Sequence, residues 1–375
     1  MYIENQFFIT STGPHQSPIH NLVGKAIVDA IIRAHHEKRK FRIIVIIPAI
    51  PGFPGDLRED AAAGTRNIID YQYKSINRGE HSIHGQLLKH NINPLDYFHV
   101  FNLRIFDRIN TAKGKNNDYS EAQAENAEDL LSHPSHSVPS QSAQNIQKAI
   151  VPDSIACLAM SPDQSTDFDP ETPVEQYIQE ELYVHSKVLI ADDTTLVIGS
   201  ANINDRSLLG THDSELSCVV KHHPTVSSLR KQLWGEHLGF ASPQAFSAGE
   251  ESQGLPPGVT NADPDVYPEI EQLQDPLNDE LWQLWNQQAK TNTEVYRKVF
   301  ACDPDDNIRT WEDYEKFMPK ELEAGHSVLK DAGEVREELK KVRGHLVECP
   351  LKFLEAVELQ VTGLAVNSWT ESIYT

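Results

Sequence analysis

The sequence has little of what would staple, metallate or anchor it. Only four of its 375 residues are cysteines. Cys157, Cys218, Cys302 and Cys349 form no C-x-x-C pair, which points to reduced thiols rather than a disulfide frame or a zinc site. No run of about 18 uncharged apolar residues occurs, and the aliphatic run Ile43 to Ile47 is stopped by Pro48, so no transmembrane anchor is expected. Met1 to Phe8 has no basic stretch before its apolar residues, so no secretory signal is expected either, and a cytoplasmic location fits both absences. There is no G-x-x-x-x-G-K loop, which leaves nucleotide hydrolysis without support. Of the 17 histidines, His81 and His84, His133 and His136, and the pairs His35-His36 and His222-His223 have suggestive spacing. None is completed by a Cys/His or H-E-x-x-H pattern, so no metal and no other cofactor is expected. Positive charge is scarce as well: 33 Lys and Arg against 55 Asp and Glu give a net charge of -22, which argues against nucleic-acid partners.

What the sequence does have is a histidine and a lysine two apart in the aliphatic run from Leu182 to Asp192. If that run is a strand, His185 and Lys187 leave the same face. Asp192-Asp193-Thr194 has turn chemistry, and Thr195 to Ile198 reads as a returning strand, which carries Gly199-Ser200-Ala201-Asn202 back to the end where His185 stands. Phosphodiester chemistry needs such a set. Lys187, Ser200 and Asn202 suit the phosphoryl oxygens, and His185 suits attack on phosphorus or protonation of the leaving oxygen. Glu215 is expected either to accept the Nδ1 proton of His185 and fix its tautomer or to stand as an edge carboxylate facing solvent. Asp192, at the turn, is expected to hold backbone and neighbouring cations rather than to transfer protons.

Elsewhere the grammar is α/β. An alternating strand starts at Tyr2, apolar residues recur at helical spacing from Leu22 to Ala34, and Phe41 to Ile47 reads as a strand buried on both faces. Helices near 65–75 and 83–89 lead to a strand over 97–103. Residues 111–172 turn polar and read as a disordered insertion, and a second polar insertion runs over 242–276. Between the insertions a helical stripe runs through Val226, Leu229, Leu233, Trp234 and Leu238, and further helices are expected over 281–289 and 334–342. Acidic residues crowd the insertions, whereas Arg33, Lys38, Arg39, Lys40 and Arg42 form a basic island with the chemistry of an anionic-surface contact.

The pattern H-x-K-x-x-x-x-D-x-x-x-x-x-x-G-S-x-N from His185 to Asn202 resembles the signature of the phospholipase D superfamily. The segments 203–207 and 213–215, the N-terminal run 2–8, Pro51-Gly52-Phe53, Arg78-Gly79-Glu80 and the C-terminal tail are similar to its eukaryotic branch. The resemblance implies one half of a two-lobed enzyme: a mostly parallel sheet flanked by helices, with polar insertions. The catalytic half is expected over 1–241 with the motif region at 182–220, and residues 277–375 are expected to complete it as a helical segment and tail. It further implies hydrolysis of phosphatidylcholine to phosphatidic acid and choline, or transfer to an alcohol, through a phosphohistidine, without a metal, at a membrane reached peripherally. In that family His185 matches the general acid, Glu215 the acid that orients it, and the basic island a stretch linked to an anionic phosphoinositide. The first motif is missing: His36-Glu37-Lys38 is followed by no matching Asp or Gly-Ser-x-Asn. A missing N-terminal half is therefore the expected partner. The alternatives are a catalytically incomplete fragment that binds anionic lipid or a regulatory partner, and a pair of identical chains sharing one site.

Overall fold

The structure, a computed structural model, describes residues 1–14, 16–52, 56–109, 176–240, 268–317 and 325–359. Its first strand, β1 (Tyr2–Glu4), is followed by helix α1 (Val23–His36), strand β2 (Ile43–Ile46), helices α2 (Ala63–Ile76) and α3 (Ile83–Lys89), and strand β3 (Phe98–Ile109). Beyond residue 175 come β4 (Gln176–Glu181), β5 (Val188–Ala191), β6 (Thr195–Gly199), the one-turn helix α4 (Asp205–Leu208), β7 (Ser217–Val220), α5 (His223–His237), α6 (Asp279–Phe300), α7 (Trp311–Phe317), α8 (Ala332–Leu339) and β8 (Leu346–Glu348).

The strands make one sheet in the order β4-β3-β2-β1-β5-β6-β7, with β8 also on β3. The α/β class expected from the sequence stands, but the mostly parallel sheet does not. Only β1–β2 and β2–β3 are parallel, and β1–β5, β3–β4, β3–β8, β5–β6 and β6–β7 are antiparallel. Helical crossovers such as α1 give parallel neighbours, whereas the tight Asp192-Asp193 turn of the β5–β6 hairpin forces antiparallel ones.

Both faces of the sheet are covered, and the period-2 alternation of β2 decides which residue goes where. Ile44 and Ile46 join Tyr2, Phe101, Val188 and Ile190 under α5 and α6, with Trp234, Leu281 and Trp285 in the same core. Ile43, Val45 and Ile47 join Ile3, Phe98 and Val100 under α1 and α3, through Ile27, Ile31, Ile83 and Leu87. At about 1.5–3 kcal/mol per fully buried side chain, these two layers hold the central strands rigid, and the strand ends carry the site.

The first expected insertion, 111–172, lies outside the described residues. The second, 242–276, is described only from residue 268, and there it is packed: Pro268–Gln274 is a 3-10 helix, Leu273 is buried, and Arg230 Nη2 donates to Leu273 O at 2.8 Å. The helix expected at 281–289 is the first part of α6, and Tyr296 to Phe300 is its end.

Candidate active site

The site lies along one edge of the sheet. β1 runs toward that edge, β5 leaves it antiparallel to β1, and β6 returns to it. Residues after β1, before β5 and after β6 are thereby brought together. The paired strand begins only at Val188, so His185 and Lys187 precede it rather than lie on it, although Gly199 N still donates to Lys187 O at 3.2 Å. His185 is exposed, its ring stacked on Tyr183 with centroids 6.4 Å apart. Lys187 is half-buried, and its Nζ donates to His185 O at 2.6 Å and to Gln6 Oε1 at 3.2 Å. Burial pushes the Lys187 ammonium below its usual range, opposed by the charge of Glu215. Such a cation gains from an anion brought against it.

Gly199 lets β6 pass close to β7, since a Cβ there would lie 2.2 Å from Leu216 O. Ser200 N donates to Leu216 O at 3.0 Å, and Leu216 N donates to Ser200 Oγ at 3.0 Å. The Ser200 hydroxyl in turn donates to Glu215 Oε2 at 2.5 Å. Ser207 Oγ donates to the other oxygen, Oε1, at 2.5 Å. Both carboxylate oxygens of Glu215 are thus bound to hydroxyls, and no hydrogen bond to His185 is among its contacts in the described residues. Asn202 is half-buried beside Ser200, its Oδ1 without a partner. The segment beyond is fixed from below: Asp205 accepts from His20 N at 2.7 Å and from Asn21 N at 2.8 Å.

Asp192 is not brought to this group. Asp192 and Asp193 both have positive φ, 55° and 54°, and form the β5–β6 turn at the opposite edge of the sheet. Asp193 holds a cation there: Arg230 Nε and Nη2 donate to its two oxygens at 2.6 and 2.8 Å, buried. The basic island is at the same opposite edge, because it precedes β2. Arg39, Lys40 and Arg42 line a pocket of about 560 Å³ together with Asp192, Asp193 and Arg230. Lys40 pairs with Asp279 at 2.7 Å, Arg39 with Glu37 at 3.2 Å, and Arg42 stacks on Trp282 at 4.2 Å. Arg33 and Lys38 are exposed. No group of side chains able to hold a metal ion occurs among the described residues, and no helix of these residues is long and apolar enough to cross a membrane.

Reasoning from sequence missed Gln6 and Tyr183, which touch Lys187 and His185, and Glu4 and Asn5, which bond the neighbouring Ser186 and Ile203. Gln6 Nε2 donates to Tyr183 OH at 2.9 Å, and Ser186 Oγ donates to Glu4 Oε2 at 2.5 Å. A usable signal was present. Three consecutive polar residues between Tyr2-Ile3 and Phe7-Phe8 must find partners if the strand end is buried.

A family model for phospholipase D matches residues 152–252. Phospholipase D zeta 1 of Arabidopsis thaliana is 29% identical over 388 residues, covering 94% of this chain and 27% of that protein. Phospholipase D1 of Homo sapiens is 30% identical over 367 residues, covering 96% of this chain and 26% of that protein. Phospholipase D1 of Schizosaccharomyces pombe is 34% identical over 255 residues, 64% of this chain and 14% of that protein. The chain therefore spans about a quarter or less of the length of these relatives. With the family model over the motif and similarity along nearly the whole sequence, the chain belongs to the phospholipase D family.

Proposed function

We propose that this chain supplies one of the two motifs of a phospholipase D active site, with His185 as the general acid, and that the other motif comes from an N-terminal half. The observation that carries the reading is the gathering of His185, Lys187, Ser200 and Asn202 at one sheet edge in a sequence with no second such set. In the reaction, an imidazole of the first motif attacks phosphorus of phosphatidylcholine while His185 protonates the departing choline oxygen. Water then gives a proton to His185 and its oxygen to phosphorus, releasing phosphatidic acid and the first histidine. Lys187 and the Asn202 amide face the phosphoryl oxygens as charge builds on them. The Ser200 proton is engaged with Glu215, so Ser200 contributes to the oxygens only if that bond opens. By this reading residues 1–241 and 277–375 form a single catalytic half.

The exposed edge beside the site supports a covering lobe. Leu216 is 77% and Val219 60% exposed, and the outer side of β7 has no neighbour among the described strands. Such apolar exposure is typical of an interface. The membrane is reached peripherally, and the basic island supplies attraction to phosphoinositide head groups.

Choline release from phosphatidylcholine vesicles tests the reading. The chain alone is expected to release none above background, and a mixture with an N-terminal fragment carrying the first motif is expected to be active. Unaided activity from a chain that sediments as a dimer would replace the missing half with a second copy. An inactive mixture that still binds anionic vesicles would leave a lipid-binding fragment.

A further inference from the structure

We propose that Glu4, the last residue of β1, and Asn5 and Gln6, which follow it, are a positioning clamp that sets the geometry of the reacting side chains. Each holds a different piece of the site. Glu4 accepts the Ser186 hydroxyl at 2.5 Å, from the residue between His185 and Lys187. Asn5 Oδ1 accepts from Ile203 N at 3.1 Å, which fixes the backbone next to Asn202. Gln6 accepts from Lys187 Nζ at 3.2 Å and donates to Tyr183 OH, the hydroxyl that also accepts from Gly52 N at 3.0 Å.

The clamp is rigid because its root is in the core. Glu4 and Asn5 are 5% and 4% exposed, and Asn5 N donates to Ile46 O at 3.1 Å. Glu4 Oε1 accepts from Tyr2 OH at 2.5 Å and lies 3.2 Å from His237 Nε2. Burial opposes ionisation of Glu4, but the hydrogen bonds from His237, Ser186 and Tyr2 outweigh it and hold the carboxyl below its usual range. A buried charge so fully bonded would be an expensive feature if it did no more than fill space. Its exposed consequence is the fixed placement of Ser186, and with it of His185 and Lys187. Reacting groups lose rate steeply when displaced by about 1 Å, on the order of a hundredfold.

The inference rests on the phosphodiester reading above, and the experiment separates the two. Ser186→Ala, Gln6→Ala and Glu4→Gln are compared in the mixture of this chain with the first-motif fragment, measuring kcat and KM for choline release. Ser186→Ala removes one tie and Gln6→Ala two, to Lys187 and to Tyr183, without emptying the core. Each is expected to lower kcat by about tenfold to a hundredfold with KM nearly constant. Ser186→Thr, which keeps the hydroxyl, should recover most of the loss, and Ser186→Ala with Glu4→Gln should be no worse than Glu4→Gln alone. Wild-type kcat in Ser186→Ala and Gln6→Ala, or a change confined to KM, would overturn the clamp. An inactive wild-type mixture would overturn the phosphodiester reading instead.

Discussion

Replacing Glu215 by Gln separates two roles for this carboxylate. From sequence it is expected to orient His185, whereas in the structure its oxygens accept from Ser200 Oγ and Ser207 Oγ, each at 2.5 Å. A carboxamide offers one acceptor where the carboxylate offers two, so one hydroxyl must turn and accept instead of donating. A hydrogen bond to a charged group contributes about 1.5–3 kcal/mol and a neutral one about 0.5–1.5. The difference over two bonds is about 2 kcal/mol before screening, and because Glu215 is half-exposed we expect about 1–2 kcal/mol to remain. For a domain of this size that is a loss of a few degrees in Tm. The assay is thermal unfolding of the chain followed by circular dichroism, beside the pH profile of choline release in the reconstituted mixture. If Glu215 serves the serines, Tm falls, Ser207→Ala accounts for part of the fall non-additively, and the profile keeps its shape. A Tm equal to wild type with a displaced profile would refute the serine reading and return the carboxylate to His185.

His185→Ala and Lys187→Ala should each lower choline release by roughly 10² or more while leaving Tm within a degree or two, since both lie at the solvent edge; activity retained in either removes the site assignment. Glu181, half-buried and accepting from the amides of Ala49 and Ile50, should make stability fall as pH rises. Burial, partly offset by Arg104, pushes its carboxyl up to about 7, so between its unfolded value near 4.5 and about 7 the unfolded chain holds fewer protons than the folded one, and stability declines by up to about 1.4 kcal/mol per pH unit. Glu181→Gln should flatten that part of the Tm-against-pH curve, and an unchanged slope would assign it to other groups. Lys38, Arg39 and Lys40 replaced together by Ala should weaken co-sedimentation with phosphoinositide vesicles by about 1 kcal/mol per charge and reduce its salt dependence; binding indifferent to both salt and substitution would exclude the basic island.

The parts of the fold written in local pattern were legible. Five apolar residues in a row at Ile43 to Ile47 require burial on both sides, and the structure puts alternate members in the two cores. The 3.6-residue spacing from Leu22 to Ala34 marked α1 because its partner is the apolar sheet on one side only. What local pattern does not carry is the choice of strand partner. The antiparallel joining of β5 to β1 depends on residues more than 180 apart in sequence, Tyr2 opposite Ile190, and nothing in either strand states its direction. The same distance hid the clamp, since Glu4, Asn5 and Gln6 become intelligible only when Ser186, Ile203 and Lys187 stand beside them. α6 was under-read because Gln287 to Glu294 is largely polar, although Asn292 is buried with its amide on Arg343 O and Leu346 O, both at 2.9 Å. A polar residue that caps another segment inside the fold looks, in sequence, like a surface one.

Asp192 follows from strand geometry rather than from chemistry. A strand advances about 3.3 Å per residue, so seven residues separate His185 from Asp192 by roughly 20 Å when the chain between them stays extended. The hairpin then returns Gly199-Ser200 to the histidine and leaves Asp192 at the far edge. What that position demands is a backbone with φ of 55°, a region that Asp, Asn and Gly tolerate and β-branched residues do not. Asp192→Asn is therefore expected to keep kcat within about threefold of wild type, because Asn fits the same conformation. Asp192→Val is expected to cost about 1–3 kcal/mol of stability through strain in the turn, with activity lost only in proportion to unfolding. Measuring kcat and Tm together decides it. A loss in Asp192→Asn as deep as that in His185→Ala, at unchanged Tm, would mean that the aspartate acts on the reaction across the sheet and that its place in the motif is chemical after all.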